Sequence, residues 1–364
     1  MTTSFAGGGA EFVARTWADW LASHGFDVRL ATTTIHDNGE APKGVRHIPL
    51  DGRNPARAIR SLRKVLLGEP TDVVLAIQSW PNLLALAACM GRRRPALIVS
   101  ERNITSREGE PMRLPDRIKR MLALRFYRRA DLAIAVSHSV AAELVSVYRV
   151  PGSRVVTVPN PAGQRAEARS SLVRPVPTGD EPVRLTLPMR LVPQKRVGLA
   201  VAAAAVLRER GIDARILCFG TQSGMTGLAA DAESHGVPLE APGWVPDWVA
   251  ATPPGAVAVL PSYREGFGNV LVEAAYAGIP SVAVSNAFGV ADALIPGFSG
   301  QLALVGTPEA LADAVLAARD TPMHHVGDWT RRFSTDESGR LLTVALERAI
   351  SNHLDGHRQK GPTA

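Results

Sequence analysis

The segment at residues 262–280 restricts the fold more than any other part of the chain. It reads Ser-Tyr-Arg-Glu-Gly-Phe-Gly-Asn-Val-Leu-Val-Glu-Ala-Ala-Tyr-Ala-Gly-Ile-Pro. The apolar run Val257–Leu260 precedes it, a helical pattern begins at about Asn269 and ends at a glycine and a proline, and the apolar run Ser281–Val284 follows. Strand, glycine-rich loop, helix and strand in this order predict a βαβ unit of a parallel sheet.

The loop of this unit is a predicted ligand site. In a parallel sheet, ligands bind at loops that follow the carboxyl ends of strands, and the N–H groups that open the next helix attract anions such as phosphate. Two acids, Glu265 and Glu273, stand eight residues apart across the loop and the helix. Their spacing alone also fits a loop charge and a solvated helix residue. The strand, the glycines and the helix stop around them favour a site.

The sequence Glu265-Gly-Phe-Gly-Asn-Val-Leu-Val-Glu273 resembles the Glu-x7-Glu signature of retaining nucleotide-sugar glycosyltransferases of family 4, also called glycosyl transferases group 1. The resemblance implies the GT-B fold, an α/β architecture of two Rossmann-like doubly wound parallel-sheet domains that face a central cleft. It also implies that Glu265 holds the hydroxyls of the donor sugar and that Glu273 binds the ribose. The donor-binding positions that it implies between them are Gly266, Phe267, Gly268, Asn269, Val270 and Leu271.

Two cations follow the first predicted strand of the second half, Val183–Leu187. The family has Gly-Arg-Leu and then a lysine at this place, so Arg190 and Lys195 match, whereas Met189 replaces the usual glycine. Fixed cations stabilise the negative charge that accumulates on a departing nucleoside diphosphate. The resemblance therefore implies catalytic roles for Arg190, Lys195 and Glu265, and the alternative is two solvated loop charges. Because no Asp-x-Asp pair occurs in the sequence, we expect a transferase without a metal ion or another cofactor.

A glycine-rich turn near the start, Gly7-Gly8-Gly9-Ala10-Glu11, precedes a helical pattern. The family has a similar loop after its first strand, which implies donor contacts for Gly8 and Gly9. Here only six residues precede the turn, so we expect a first strand that is short or missing, through either an upstream start or a truncated sheet. A flexible terminus is the alternative.

The acceptor side is expected at the carboxyl end of the predicted strand that begins at residue 96. Many family members have a histidine there, and this chain has Glu101, Arg102 and Asn103 instead, for which a loop-capping role is the alternative. His138 is a further acceptor-side candidate at the start of a helix that Ser137 is placed to cap.

The tripeptide Gly243-Trp244-Val245 follows the position of the family strand that lines the nucleobase pocket. Trp244 and Val245 are therefore implied donor contacts. A core role for Trp244 is the alternative.

The domain organisation is predicted from the chain length and from the alternation of strand-like and helical patterns. A chain of 364 residues suits two domains. Each half alternates apolar runs with helical patterns, and the predicted strands are residues 28–32, 73–77, 96–100, 132–136, 183–187, 214–219, 257–260 and 281–284. We expect a first domain at residues 1–165, a linker at 166–182, a nucleotide-sugar domain at 183–335, and at 336–364 a C-terminal helix that crosses back to the first domain, with a disordered tail.

Charge and cysteine content restrict the partners and the compartment. The formal net charge is +7, with 23 Lys/Arg against 14 Asp/Glu in residues 1–160 and 18 against 20 in the remainder. No nucleic-acid-binding motif accompanies this charge, so we expect no nucleic-acid partner. Cys89 and Cys218 lie in separate apolar runs and predict buried thiols. No basic-then-apolar leader and no membrane-length apolar run occur, which predicts a cytoplasmic protein, with a peripheral contact at the inner membrane face as an open alternative.

Residues 112–129 predict a basic amphipathic helix. Leu114, Ile118, Met121, Leu122 and Phe126 recur at helical spacing, and arginines and lysines crowd the other positions. Such a helix fits an anionic membrane surface. The alternative is a domain helix whose apolar stripe lies in the core and whose arginines lie in water.

We therefore expect a retaining glycosyltransferase that moves a sugar from a nucleoside-diphosphate-sugar, most commonly a UDP-sugar, to a hydroxyl of a glycan, lipid-linked or small-molecule acceptor. The abundance of Ala and Arg suggests a bacterial gene. Two rivals remain open, a nucleotide-sugar epimerase of the same fold and a non-catalytic sugar-binding protein of two domains.

Overall fold

The chain forms two compact units. The computed structural model describes residues 1–5, 8–34, 40–91, 94–105, 114–163, 181–220, 223–323 and 326–358. Unit 1 comprises Met1–Pro161 and Thr335–Ala364, and unit 2 comprises Ala162–Ser334. Of the linker expected at residues 166–182, all but residues 181 and 182 lie outside the described residues.

The regular elements alternate along both units. The strands are β1 (Arg29–Thr32), β2 (Arg46–Pro49), β3 (Val73–Ile77), β4 (Ala96–Glu101), β5 (Leu132–Ala135), β6 (Val155–Thr157), β7 (Val183–Leu187), β8 (Ala214–Cys218), β9 (Leu239–Glu240), β10 (Val257–Leu260), β11 (Ser281–Val284) and β12 (Gly300–Ala303). The helices are α1 (Gly9–Ser23), α2 (Pro55–Gly68), α3 (Ser79–Ala88), α4 (Leu114–Phe126), α5 (His138–Ser146), α6 (Val197–Glu209), α7 (Met225–Ser234), α8 (Trp248–Ala251), α9 (Asn269–Tyr276), α10 (Pro308–Arg319), α11 (Val326–Thr330) and α12 (Thr335–Arg358).

Unit 1 contains parallel strands in the orders β1-β2 and β3-β4-β5-β6. Residues 1–3 join the two groups, because the Thr2 N–H donates to the Ala31 carbonyl and the Met1 carbonyl accepts from the Ile77 N–H, at 2.9 and 3.0 Å. This short segment therefore takes the place of the first strand that the sequence predicted to be short or missing. The chain order then reverses at this segment, as in a doubly wound sheet.

The last helix, α12, packs on unit 1. Its Leu342, Ala345 and Ala349 are buried in one core with Val13 and Trp17 of α1. The Trp17 indole donates to the Ser338 hydroxyl across 2.9 Å. An amphipathic helix of this length gains its stability mainly from such packing.

Helix α4 differs from its expected packing. Of the apolar stripe, Leu114, Ile118 and Met121 are exposed, and only Leu122 and Phe126 are partly buried. The alternative that this stripe lies in the core is wrong, because the buried residue of α4 is Ala123, which does not belong to the stripe.

Unit 2 is built on one parallel sheet in the order β12-β11-β10-β7-β8-β9. Strand β7 comes first along the chain, so the chain order reverses between β7 and β10, where Val257 pairs with Leu185. The central strands are buried on both faces and read as continuous apolar runs, as parallel strands covered by helices do. The predicted α/β class with doubly wound parallel sheets is confirmed in both units.

Candidate functional site

The carboxyl ends of β7 and β10 lie side by side at the reversal point of the unit 2 sheet. Open α/β sheets bind ligands at such a point. The loop after β7 carries Arg190 and Lys195, and the loop after β10 carries Glu265. The topology thus brings residues about 70 positions apart in the chain to one edge of the sheet.

Lys195 and Glu265 form a direct ion pair. The Lys195 Nζ lies 2.5 Å from Glu265 Oε1, and the two side chains are 17% and 11% exposed. Two further hydrogen bonds join the loops, from Gln194 Nε2 to the Arg264 carbonyl at 2.9 Å and from the Tyr263 N–H to the Gln194 carbonyl at 3.2 Å. The pair is therefore a fixed, largely desolvated combination of one positive and one negative group.

The main chain around Glu265 is fixed by the loop after β11. The Glu265 N–H donates to the Ala287 carbonyl at 3.0 Å, and the Gly289 N–H donates to the Glu265 carbonyl at 3.2 Å. A Cβ atom on Gly289 would lie 2.3 Å from the Gly266 carbonyl oxygen. Only glycine allows this close approach, so Gly289 helps to set the position of Glu265.

Helix α9 starts directly behind this loop. Its N-cap is Gly268, which has φ +99° and no side chain to accept from the first-turn N–H groups. A left-handed φ of this size favours glycine. The helix N-terminus presents partial positive charge toward the reversal point, which suits an anion.

Glu273 lies on α9 and is buried, with 5% of its surface exposed. The Trp248 indole donates to Glu273 Oε2 across 2.7 Å. Trp248 is itself buried and belongs to α8, which begins shortly after Trp244 and Val245 in the sequence. The sequence gives no indication of Trp248, because no motif connects it to Glu273.

The remaining donor-side candidates differ in exposure. The Arg190 side chain is exposed, whereas the neighbouring Met189, at the place of the family glycine, is buried. Trp244 is 65% exposed, so its alternative assignment to the core is wrong. Val245 packs against the buried cluster that contains Phe219 and Trp248.

Glu101 ends β4 in unit 1 and is 3% exposed. Its carboxyl group accepts hydrogen bonds from the Tyr127 hydroxyl, from Ser79 Oγ at 3.1 Å and from Asn82 Nδ2 at 3.2 Å. Burial raises the pKa of Glu101 to about 7 despite these donors. The structure therefore places Glu101 inside a buried polar network below the loop that follows β4.

The two residues after Glu101 are partly buried. The Arg102 guanidinium lies 4.3 Å from the centre of the Trp17 ring and donates to Asn160 Oδ1 at 2.8 Å. Burial lowers the pKa of Arg102 to about 9. Asn103 Oδ1 accepts from the Ile104 N–H at 2.9 Å.

The other unit 1 candidates lie at helix starts. His138 is the first residue of α5 and is exposed, and Ser137 Oγ accepts from the Val140 N–H at 3.2 Å, which confirms the predicted cap. Gly8 is the N-cap of α1, which begins at Gly9, and the Gly8 N–H donates to Glu11 Oε2 at 3.0 Å.

Three further observations concern individual side chains and helices. Cys89 and Cys218 are buried free thiols, as predicted. In the part of the chain that the structure describes, no group of three or more potential metal ligands occurs. Within the same residues, no helix combines the length and the apolar character needed to cross a membrane.

Comparisons with known proteins cover both units. Residues 7–162 match the family model described as "Glycosyltransferase Family 4", and residues 183–320 match the model "Glycosyl transferases group 1". A "D-inositol 3-phosphate glycosyltransferase" from Arthrobacter sp. (strain FB24) is 31% identical over 265 residues, which covers 65% of this chain and 60% of the relative. "Glycogen synthase" of Mycobacterium tuberculosis (strain ATCC 25618 / H37Rv) is 32% identical over 65% of this chain and 57% of its own. The matched part of this chain thus spans little more than half the length of these relatives.

Solved structures resemble the whole chain. "Sucrose-phosphate synthase (tll1590) from Thermosynechococcus elongatus" has a TM-score of 0.76 at 18% identity and covers 96% of this chain and 94% of its own. Anabaena Alr3699/HepE, solved "in complex with UDP and glucose", has a TM-score of 0.70 at 17% identity and covers 95% of this chain and 97% of its own. At these identities the likeness concerns the fold, and it confirms the predicted GT-B architecture.

Proposed function

The chain belongs to family 4 of the glycosyltransferases, since the two family models together match most of its length, and we propose that it transfers a sugar from a nucleoside-diphosphate-sugar to a hydroxyl acceptor with retention of anomeric configuration. The observation that carries the proposal is the Lys195–Glu265 pair at the reversal point of the unit 2 sheet. One group of this pair suits a phosphate and the other suits a sugar hydroxyl.

Lys195 and Arg190 receive the leaving group in this proposal. The nucleoside diphosphate departs with an additional negative charge, and cations fixed before the reaction stabilise this charge in the transition state. Lys195 is positioned by its contact with Glu265, and the exposed Arg190 follows the same strand. The N-terminus of α9 adds partial positive charge. We therefore assign neutralisation of the diphosphate to these groups rather than to a divalent metal ion.

Glu265 binds the donor sugar in this proposal. Its carboxylate accepts hydrogen bonds from sugar hydroxyls, and the contact with Lys195 is made by Oε1. The glycine-rich main chain at residues 266–271 follows the sugar and the diphosphate, since a backbone without large side chains permits close approach.

Glu273 binds the ribose hydroxyls, and Trp244 and Val245 lie at the nucleobase. The exposed indole of Trp244 suits stacking on a base. A uridine donor is the first choice, supported by the Anabaena protein of the same fold, which was solved in complex with UDP and glucose. In unit 1 we assign donor contacts to Gly8 and Gly9 and acceptor contacts to Arg102, Asn103 and His138, with Glu101 supporting the loop after β4.

The test is a transfer assay with a panel of nucleoside-diphosphate-sugars and simple hydroxyl acceptors. Lys195→Ala and Glu265→Gln should each lower kcat/KM by about 100-fold or more, because each removes a group that acts on the transition state. Two variants of exposed unit 2 residues serve as matched controls. Arg210→Ala breaks a surface ion pair with Asp313, and Glu309→Gln neutralises an acid at the start of α10. Turnover that survives both site variants undiminished contradicts the assignment.

Incubation with the donor alone separates transfer from epimerisation. A transferase releases no stoichiometric epimer of the nucleotide-sugar without an acceptor. NMR of the anomeric proton in the transferred sugar reports whether configuration is retained, and an inverted product contradicts that part of the proposal.

A further inference from the structure

Phe288 has a strained main-chain conformation in the loop that follows β11. Its φ is +57° and its ψ is −67°, a combination that residues with a side chain rarely adopt. Among the residues that the structure describes, the non-glycine residues with positive φ are Gln78, Arg149, Arg196 and Phe288, and Phe288 is the one aromatic residue in this group. Glycine would take this conformation without strain. Such strain is typical of ligand sites, where the surrounding structure holds it in place.

Two hydrogen bonds hold the main chain of Phe288 beside that of Glu265. The Glu265 N–H donates to the carbonyl of Ala287 at 3.0 Å, and the Gly289 N–H donates to the Glu265 carbonyl at 3.2 Å. Together they form a parallel bridge between Glu265 and Phe288. The next residue, Gly289, lies so close to the Gly266 carbonyl that no Cβ atom fits between them. Phe288 is therefore fixed next to the loop that carries Glu265.

The ring of Phe288 lies at the surface of this loop. It is 50% exposed, whereas its neighbours Ala287 and Gly289 are buried. Strand β11 pairs in parallel with β10, so the loops that follow the two strands emerge at the same edge of the sheet. Burial of half a side chain in the core of unit 2 gives only part of the stabilisation that full burial would give. Packing alone therefore does not account for a large ring at a strained position.

An aromatic ring beside a carboxylate suits a sugar. The hydroxyls of a sugar donate hydrogen bonds to the carboxylate, and its C–H groups form an apolar face with a slight positive polarisation. This face is attracted to the negative face of an aromatic ring, which also removes apolar surface of both partners from water. A diphosphate suits the ring poorly, because the negative ring face repels an anion and an apolar neighbour leaves its oxygens without hydrogen bonds.

We propose that Phe288 contacts the donor sugar and helps to select it, with the ring on the C–H face of the sugar and Glu265 on its hydroxyls. This inference rests on the proposed function, in which Glu265 is the sugar-binding acid. It adds a residue that belongs to neither of the two motifs that supply Lys195 and Glu265. The contact concerns the sugar and not the nucleotide, so the two parts of the donor separate it from the other assignments.

The experiment compares two affinities of the full chain by isothermal titration calorimetry. The wild type is titrated with UDP-glucose, UDP-N-acetylglucosamine, GDP-mannose and ADP-glucose, and the donor that binds most tightly is compared with its own nucleoside diphosphate. Phe288→Ala should weaken binding of this donor by about tenfold and change the affinity for the nucleoside diphosphate by less than about twofold. Phe288→Tyr keeps the aromatic face and should retain the donor affinity. Phe288→Leu keeps an apolar side chain without that face and should lose most of it.

Two controls separate the sugar contact from stability. Ile295→Ala shortens a 39% exposed aliphatic side chain later in the connection between β11 and β12, and it should leave both affinities unchanged. Phe288→Gly should unfold at a higher Tm than Phe288→Ala, because glycine accepts a φ of +57°. A higher Tm for the alanine variant contradicts the strained conformation on which the proposal depends.

The outcomes distinguish this inference from the proposed function. A wild type that binds none of the four donors contradicts both. A wild type that binds a donor, together with a Phe288→Ala variant that binds it as tightly, overturns this inference and leaves the proposed function standing. An equal loss of affinity for the donor and for the nucleoside diphosphate also overturns it, because the ring would then act on the nucleotide.

Discussion

The contact between Trp248 and Glu273 yields a prediction about nucleotide binding. Trp248→Phe keeps most of the buried ring but removes the N–H group that donates to Glu273 Oε2 across 2.7 Å. Glu273 is only 5% exposed, so water does not readily replace the lost donor. A hydrogen bond to a charged group contributes about 1.5–3 kcal/mol to stability. We expect the free energy of unfolding to fall by about 2 kcal/mol.

The effect on ligand affinity distinguishes positioning from stability. If the indole orients the Glu273 carboxylate toward a ribose, Trp248→Phe should weaken UDP binding by about tenfold, equivalent to about 1.4 kcal/mol. Pyrophosphate has no ribose, so its affinity should stay unchanged in the same variant. Isothermal titration calorimetry measures both affinities on the folded protein, and urea unfolding measures the stability.

The matched control for this variant is Trp329→Phe. Trp329 contacts Phe298 and Phe333 edge-on in the same unit. It should lose stability without a selective loss of UDP affinity. A Trp248→Phe variant that binds UDP as tightly as the wild type, or that loses pyrophosphate affinity by the same factor, would refute a positioning role for the indole.

Two further predictions concern buried groups. Burial raises the pKa of Glu101 from 4.5 to about 7, so between these pH values the folded protein holds a proton that the unfolded chain has lost. The free energy of unfolding should therefore fall by about 3 kcal/mol as pH rises through this window. Glu101→Gln should remove this fall in denaturant titrations at several pH values, and an unchanged pH dependence of stability in the variant would contradict the prediction. Gly289→Ala places a Cβ 2.3 Å from the Gly266 carbonyl oxygen and should lower both the Tm and the donor affinity. The control Gly227→Ala, whose Cβ would have nothing within 4 Å, should leave the Tm equal or higher in the same thermal scan. Equal Tm values for the two variants would show that the loop after β10 tolerates the extra atom.

The sequence predicts the central strands better than the edges. Val73–Ile77, Val183–Leu187, Val257–Leu260 and Ser281–Val284 are confirmed at both ends. Such strands are buried on both faces and appear as continuous apolar runs. The short strands β2, β6, β9 and β12 were not predicted. They have two to four residues each, and β9 has only two, so no periodic pattern can develop.

The sequence predicts the site residues that belong to motifs, but it does not predict the contacts between them or the residues that only those contacts identify. The sequence identified Lys195 and Glu265 through separate motifs, but their 2.5 Å contact follows only from the pairing of β7 with β10. Trp248 lies 25 positions from Glu273 and belongs to no motif, so the sequence did not indicate it. The sequence left open whether the apolar stripe of α4 is exposed, because helical periodicity shows which residues share a face but not which face meets the core.

The central claim is that the loops after β7 and β10 hold a nucleoside diphosphate and its sugar. A crystal structure of the chain with a bound UDP-sugar tests this claim most directly. The account predicts the diphosphate at the N-terminus of α9 within hydrogen-bonding distance of Lys195 or Arg190, a sugar hydroxyl on Glu265 and the ribose on Glu273. A nucleotide bound away from these residues, with Lys195 and Glu265 still paired only to each other, would contradict it.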